Sequence, residues 1–302
     1  MKAKVFFLIW IIPSLVGPCR GNQKQVVKDD LGYPFQISRP PQRIISLAPN
    51  VTEILFALGL GEKIVGVTRY CDFPPEAFKK EKVGGMVDPN LEMIKSLNPD
   101  LIISFRGNPL RTLIRLKALG FSVFILEQGT DLESLFLMIE RIGMVTQTNK
   151  KAESLVSSLR EKSQKIQEAL RPIIRQPRVF LSLHGLGLWT CGKESYLNDL
   201  VKKAKGFNVT GTIPKKWIYY NREQLVYDNP EVIVILAKSQ ADFATARTWF
   251  RKEANLDDVE AVRTDTIRFL DENTASRYGP RLVDAFSRIA RLLHPQAFGD
   301  KQ

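Results

Sequence analysis

Cysteine and histidine are scarce in this chain, with 3 cysteines and 2 histidines among 302 residues. The histidines are His184 and His294, the second in the C-terminal tail region. Nucleophilic and general-base catalysis usually place an imidazole beside Ser, Cys or water, so that chemistry has little to work with here. No Gly-x-Ser-x-Gly elbow, Gly-Lys-Ser/Thr phosphate loop or paired-cysteine metal spacing occurs. Gly192-Lys193-Glu194-Ser195 lacks the preceding glycine of a phosphate loop and reads as a loop capping a helix through Leu197 and Leu200. Basic runs interleaved with aromatics are also missing, which argues against a nucleic-acid partner. The expectation is a protein that is not an enzyme and carries no cofactor.

Long apolar runs are missing as well. Val5 to Ile12, preceded by Lys2 and Lys4, is too short to span a bilayer and reads as a secretory signal over residues 1–22. An exported, periplasmic or extracytoplasmic protein follows. Cys19, in Leu15-Val16-Gly17-Pro18-Cys19, stands where a lipoprotein cysteine would, although Pro18 replaces the usual small residue, so a lipid anchor and plain cleavage both stay open. The formal charge of +12 becomes +9 when Lys2, Lys4 and Arg20 leave with the signal. The remaining basic residues are scattered and read as a solvated surface. Cys71 and Cys191 fall in different halves behind predicted strands, facing the gap between lobes. A bridge there would staple a cleft shut, so free thiols are expected despite the oxidising compartment.

What the chain does have is one sentence written twice. Asn90-Leu91-Glu92-Met93-Ile94, then Asn98-Pro99-Asp100-Leu101-Ile102-Ile103, returns as Asn221-Arg222-Glu223-Gln224-Leu225, then Asn229-Pro230-Glu231-Val232-Ile233-Val234. The offset is 221 − 90 = 131 residues. Each copy reads as a short helix feeding a strand buried on both faces of a parallel sheet. The first Asn caps the helix, Asn221 and Gln224 having capping-box spacing. Glu92 and Glu223 sit in the first turn, where negative charge is favoured. The Asn-Pro pair ends the helix and pushes the residue before proline into extended geometry.

Around the repeats, strands alternate with helices: strands at Arg43–Leu47, Ile64–Thr68 and Phe121–Leu126, a helix from Pro49 capped by Asn50 and Glu53, and another over Arg111–Leu119. At 302 residues with 44% hydrophobic content, two cores are affordable. Asn149 to Leu170 carries one apolar face, through Ala152, Leu155, Val156, Leu159, Ile166 and Ala169, before Pro172. The division is a signal peptide at 1–22, a leader at 23–42, an N-terminal α/β lobe at 43–148, a connecting helix at 149–172 and a C-terminal α/β lobe at 173–302. The fold class is α/β: two Rossmann-like lobes with parallel sheets, joined by one long rigid helix, with a ligand cleft between them.

Ligands of parallel sheets bind beyond the carboxyl ends of the strands. The residues expected there are Tyr70, Met86, Phe105, Arg106, Trp189, Trp217, Asn273 and Arg277, with Pro49, Asn50, Cys71, Asp72, Phe73, Gly107, His184, Thr190, Gly192, Ser276 and Tyr278 nearby. This aromatic set with a few polar groups suits a large flat ligand. Cys71, Asp72, His184 and Cys191 would make a soft metal site if the lobes closed, leaving a metal-handling enzyme as the rival reading.

Arg43-Ile-Ile-Ser-Leu-Ala-Pro-Asn-Val-Thr-Glu-Ile, with Val65-Gly-Val-Thr-Arg-Tyr-Cys-Asp-Phe-Pro-Pro-Glu-Ala, resembles the helical-backbone class of periplasmic substrate-binding proteins. Asn90-Leu91-Glu92, Phe105-Arg106-Gly107, Gly192-Lys193-Glu194-Ser195, Trp217 and Arg222-Glu223-Gln224 match in order, so the resemblance covers about residues 40–295. Within the class it is similar to the cobalamin-binding components of vitamin uptake ABC transporters. The resemblance implies a monomeric receptor that grips a corrinoid between aromatic walls at Tyr70, Phe105, Trp189 and Trp217, with Arg277 near the ligand's amides. It also implies that Glu92 and Glu223 dock onto arginines of a membrane permease. Met86 stands where that group places a stacking tryptophan, Asn273 replaces an aspartate, and the loop through Thr274 is longer. Haem or a ferric siderophore therefore stays open as ligand, with Tyr70, Arg106 and His184 available to it.

Overall fold

The computed structural model describes residues 25–37, 39–183, 187–253 and 255–299. The signal segment, Cys19 and His184 lie outside the described residues. Among the described residues no helix is long and apolar enough to cross a membrane.

Two parallel sheets organise the chain. The first has strands in the order Glu81–Lys82, Ile64–Val67, Ile44–Ser46, Leu101–Phe105, Val123–Leu126. The second has the order Phe207–Asn208, Arg178–Ser182, Val232–Ala237, Ile267–Asp271. In each, the strand after the repeat helix is buried throughout or almost throughout, as its uninterrupted apolar run requires. Each order reverses direction once: between Ile44–Ser46 and Leu101–Phe105, and between Arg178–Ser182 and Val232–Ala237. Such reversals open a crevice at the carboxyl ends of the strands. The leader contributes an antiparallel hairpin, Gln25–Lys28 with Pro34–Ile37, tied to the first lobe by Asp29 and Lys117 at 2.8 Å.

The connecting helix runs Asn149–Ala169, about 32 Å at 1.5 Å per residue. Its buried stripe, Ala152, Val156, Leu159, Ser163 and Ile166, packs on helix Leu132–Val145 of the first half and helix Leu282–Leu293 of the second. Instead of two separate cores, the largest apolar cluster is shared. It runs from Val51, Ile54 and Leu58 through Val156 and Ile166 to Leu282, Phe286 and Ile289. Two smaller clusters fill the other faces of the two sheets. The lobes are joined by packing as well as by the chain.

The repeat is the same device in both lobes. Asn90 accepts from the backbone N–H of Glu92 and Met93, and Asn221 from that of Gln224. The Gln224 amide does not close a capping box; it donates to Asp228 at 3.0 Å. The residue before each proline is left-handed rather than extended, with φ of 43° at Asn98 and 44° at Asn229. Asparagine tolerates that region, which explains its place in both copies. The carbonyls of Asn98 and Asn229 each accept from an arginine Nε that opens the neighbouring strand, Arg43 at 3.2 Å and Arg178 at 2.9 Å. In return Asp100 and Glu231 accept the backbone N–H of those same arginines, at 2.9 and 3.1 Å.

One capping box expected from the sequence does not form. The helix Pro49–Ala57 starts after Ala48 with no side-chain cap, and Glu53 is buried in an ion pair instead. Proline at the first helical position fixes the start one residue before Asn50, leaving Asn50 and Glu53 inside the helix.

Candidate functional site

The carboxyl ends of the second sheet enclose a cavity of about 320 Å³, lined by Leu183, Trp189, Tyr196, Leu197, Trp217, Leu236, Glu272 and Ser276. Leu183 and Leu236 end the two strands that flank the reversal, so the cavity sits where the topology opens it. The tryptophans come from a two-stranded antiparallel ribbon, Trp189–Cys191 with Trp217–Tyr219. In its register Cys191 faces Trp217 and Trp189 faces Tyr219, so both indoles stand on one face of the ribbon. Gly192 follows the first of these strands where a Cβ would lie 2.4 Å from the carbonyl oxygen of Lys215.

Tyr196 is one of two residues that the sequence did not mark. It is fully buried, donates its hydroxyl to the Ala275 carbonyl at 3.1 Å, and meets Trp217 edge-on at 6.2 Å. Its ring lies 5.1 Å from that of Tyr278, whose hydroxyl donates to the Asp131 carbonyl in the first half at 2.6 Å. A chain of aromatic rings thus leads from the cavity to the other lobe. Its only sequence signal was its place just after the Ser195 cap, which accepts from the Leu197 N–H.

The first lobe presents Tyr70, Met86, Phe105 and Arg106 on its carboxyl-end loops, outside the lining of that cavity. Tyr70 is 50% exposed, Met86 and Phe105 are half-buried, and Arg106 is exposed and paired with Glu127. Buried Asn108 holds these loops together. It accepts from the Phe105 N–H at 2.9 Å and donates to the carbonyls of Leu47 at 2.9 Å and Met86 at 2.8 Å. It sits at the reversal point of the first sheet, and nothing in its local sequence marks it.

Asn273 lies on the helical turn Glu272–Ala275 between two cavity-lining residues, and its carbonyl accepts from Arg281 at 3.1 Å. Arg277 is engaged by acids of the first lobe. Its guanidinium makes a two-pronged pair with Asp72, one contact at 2.7 Å, and reaches Glu53 at 3.5 Å. Arg281 grips Glu53 from the other side at 2.6 and 3.0 Å and stacks over Phe73 at 3.9 Å. The Arg277 guanidinium holds the Asp72 carboxyl below its usual range.

Cys71 and Cys191 are free, and both are buried rather than open to the cleft. Cys71 contacts the hydroxyls of Thr52 and Thr68 at 3.1 Å, and burial pushes its thiol up. Burial pushes the Cys191 thiol up to about 12. Among the described residues no group of three acidic, His or Cys side chains is placed to hold a metal. The expected metal set also includes His184, outside the described residues.

Glu92 and Glu223 are exposed on the first turns of the repeat helices, and neither carboxylate has an ion-pair partner among the described residues. Arg222, next to Glu223, pairs instead with Glu253 at 2.6 Å.

Two parallel-sheet lobes, a stiff helix between them and a cavity at the strand ends define a bilobal solute receptor. The chain belongs to the periplasmic binding protein family, whose pattern it matches over residues 44–274. It is 30% identical over 278 residues to the uncharacterized ABC transporter substrate-binding lipoprotein YvrC of Bacillus subtilis, covering 90% of this chain and 86% of that one. The periplasmic vitamin B12 binding protein BtuF of Vibrio cholerae has the same fold, with a TM-score of 0.74, 29% identity and coverage of 87% of this chain and 99% of its own. The periplasmic heme-binding protein RhuT from Roseiflexus sp. RS-1 shares the fold at a TM-score of 0.76 and 24% identity, covering 85% and 99% of the two chains. The family consists of substrate-binding proteins of transport systems, not enzymes.

Proposed function

We propose that this protein captures a corrinoid outside the cytoplasm and delivers it to the permease of an ABC transporter. The observation that carries the ligand class is the apolar cavity at the second lobe's strand ends, with Trp189, Tyr196 and Trp217 as its aromatic lining. Tyr70, Met86 and Phe105 supply the facing wall, with Arg106, Asn273 and Arg277 as the polar contacts. Such a wall suits a large flat ring system, and most of its contact energy would come from aromatic burial. The 29% identity to a vitamin B12 binding protein supports a corrinoid as the first ligand to test, with haem as the rival because a heme-binding protein shares the fold as well. Glu92 and Glu223, one per lobe and both without an ion-pair partner among the described residues, are the docking contacts for the permease, which would approach with basic residues. The signal segment and Cys19 fit delivery to the extracytoplasmic side.

The test is a titration of the purified mature protein with cyanocobalamin, haemin and a ferric siderophore, followed by tryptophan quenching. Saturable one-to-one quenching by cyanocobalamin alone is the expected result. A response to haemin or the iron chelate with silence toward cyanocobalamin would replace the ligand and leave the receptor reading intact.

A further inference from the structure

Four charged side chains meet where the lobes touch: Glu53 and Asp72 from the first, Arg277 and Arg281 from the second. Their charges cancel. The two acids are placed differently, however, with the Glu53 side chain 2% exposed and that of Asp72 38% exposed. Glu53 is gripped by both arginines and closed off, so its removal would strand buried charge. Asp72 sits on the outer rim, on the loop between Tyr70 and Phe73, and holds only Arg277. A carboxylate with two oxygens on one guanidinium is the geometry in which arginine takes carboxylates and phosphates generally. Arg277 also follows directly on Ser276, which lines the cavity.

We propose that Asp72 is a built-in competitor for Arg277, occupying an anion site that a carboxylate or phosphate group of the ligand takes over on binding. Asp72 is then a specificity-determining residue. A neutral acceptor gives up too little to displace a two-pronged charged partner, whereas an anionic group replaces it like for like. Arg281 and Glu53 stay paired throughout and keep the lobes together. The role toward the ligand rests on the reading of Arg277 as a ligand-facing residue; the anion site itself does not.

Inorganic phosphate is the probe for the site, with chloride at matched ionic strength as control and the melting midpoint as readout. Asp72→Asn leaves the cluster with one excess positive charge, and Asp72→Ser does the same with a smaller side chain should the first variant fold poorly. Phosphate is expected to raise the midpoint of either variant by about 2–4 °C, to move the wild type less because Asp72 competes for Arg277, and to leave Asp72→Asn/Arg277→Ala unmoved. Equal shifts in all these proteins, or none in either single variant, would overturn the proposal. The ligand arm uses cyanocobalamin and haemin. Asp72→Asn should bind the better ligand on the order of fivefold more tightly than wild type, a gain that vanishes without Arg277. Weakening by Arg277→Ala with no gain from Asp72→Asn overturns the competition but leaves Arg277 in the ligand site. No effect of Arg277→Ala on either ligand removes Arg277 from that site and the competitor role of Asp72 with it.

Discussion

At the scale of single residues, the side chains that shape the cleft are mostly not those that face it. Asn108 binds three main-chain groups, at Phe105, Leu47 and Met86, with one amide. Asn108→Ala leaves these groups without their partner in a buried setting, and a cost of about 1–3 kcal/mol follows. The Met86 and Phe105 loops would loosen with it, so ligand affinity should fall together with the denaturation midpoint. Asn108→Asp is the informative companion: it keeps the acceptor for the Phe105 N–H, loses the donor, and should land no better than the alanine. A loss of stability with untouched affinity would place the first-lobe wall away from the ligand. The thiols make the opposite case. Buried, and with Cys191 pushed up to about 12, they lack the thiolate needed for nucleophilic attack at neutral pH. Neither Cys71 nor Cys191 should react with a thiol reagent until the protein is unfolded. Rapid labelling of the native protein would mean that the cleft opens far enough to expose them.

At the scale of elements, the repeat proves to be a lock between a helix end and the neighbouring strand. The left-handed asparagine, the arginine Nε on its carbonyl and the acid on that arginine's N–H recur in both lobes. Asn98 is the cleaner place to test the backbone part, since its side chain makes none of these bonds. Asn98→Ala should cost about 1–2 kcal/mol and Asn98→Gly close to nothing, read from urea midpoints, because only glycine also enters this region freely. Equal losses would show that the turn does not need the left-handed residue. The helix and strand of each copy were legible in the sequence because cap, apolar run and proline all lie within a few positions. The arginine partners were not, being 51 to 57 residues away in the chain. Glu53 shows the same limit more sharply. Locally it completes a capping box with Asn50, yet its carboxylate is taken by Arg281, 228 positions on. Trp189, from its position after a strand, and Trp217, from its position before a repeat helix, could be singled out in the sequence, and both line the second-lobe cavity. Tyr196 and Asn108 could not, because a buried aromatic and a buried amide look like core and loop until the topology brings them to the reversal points.

For the whole molecule, the shared core and the four-residue ion cluster tie the lobes together, so the proposed docking and ligand capture should be separable. Glu92 and Glu223 stand on repeat helices outside the cavity lining, and Glu92→Ala with Glu223→Ala should abolish transport while leaving ligand affinity unchanged. Lost ligand binding in the double variant would remove the docking assignment. The contact between the lobes should also show in the response to acid. Arg277 holds the Asp72 carboxyl below its ordinary value of 3.8, so the folded protein binds a proton there less readily than the unfolded chain. The stability this contributes is present in full above pH 3.8 and is lost as the pH falls from there through the lower folded value. Asp131 and Asp265 are also held low, by Ser134 and Arg247 respectively, but they titrate alike in wild type and variant and cancel in the comparison. The stability of wild type relative to Asp72→Asn should therefore be constant between pH 5 and 7 and shrink below about pH 4. Urea midpoints of both proteins over that range measure it. A difference that stays flat into the acid range would mean that Asp72 and Arg277 do not hold the lobes together in solution, and that the lobe contact rests on Glu53, Arg281 and the shared apolar core.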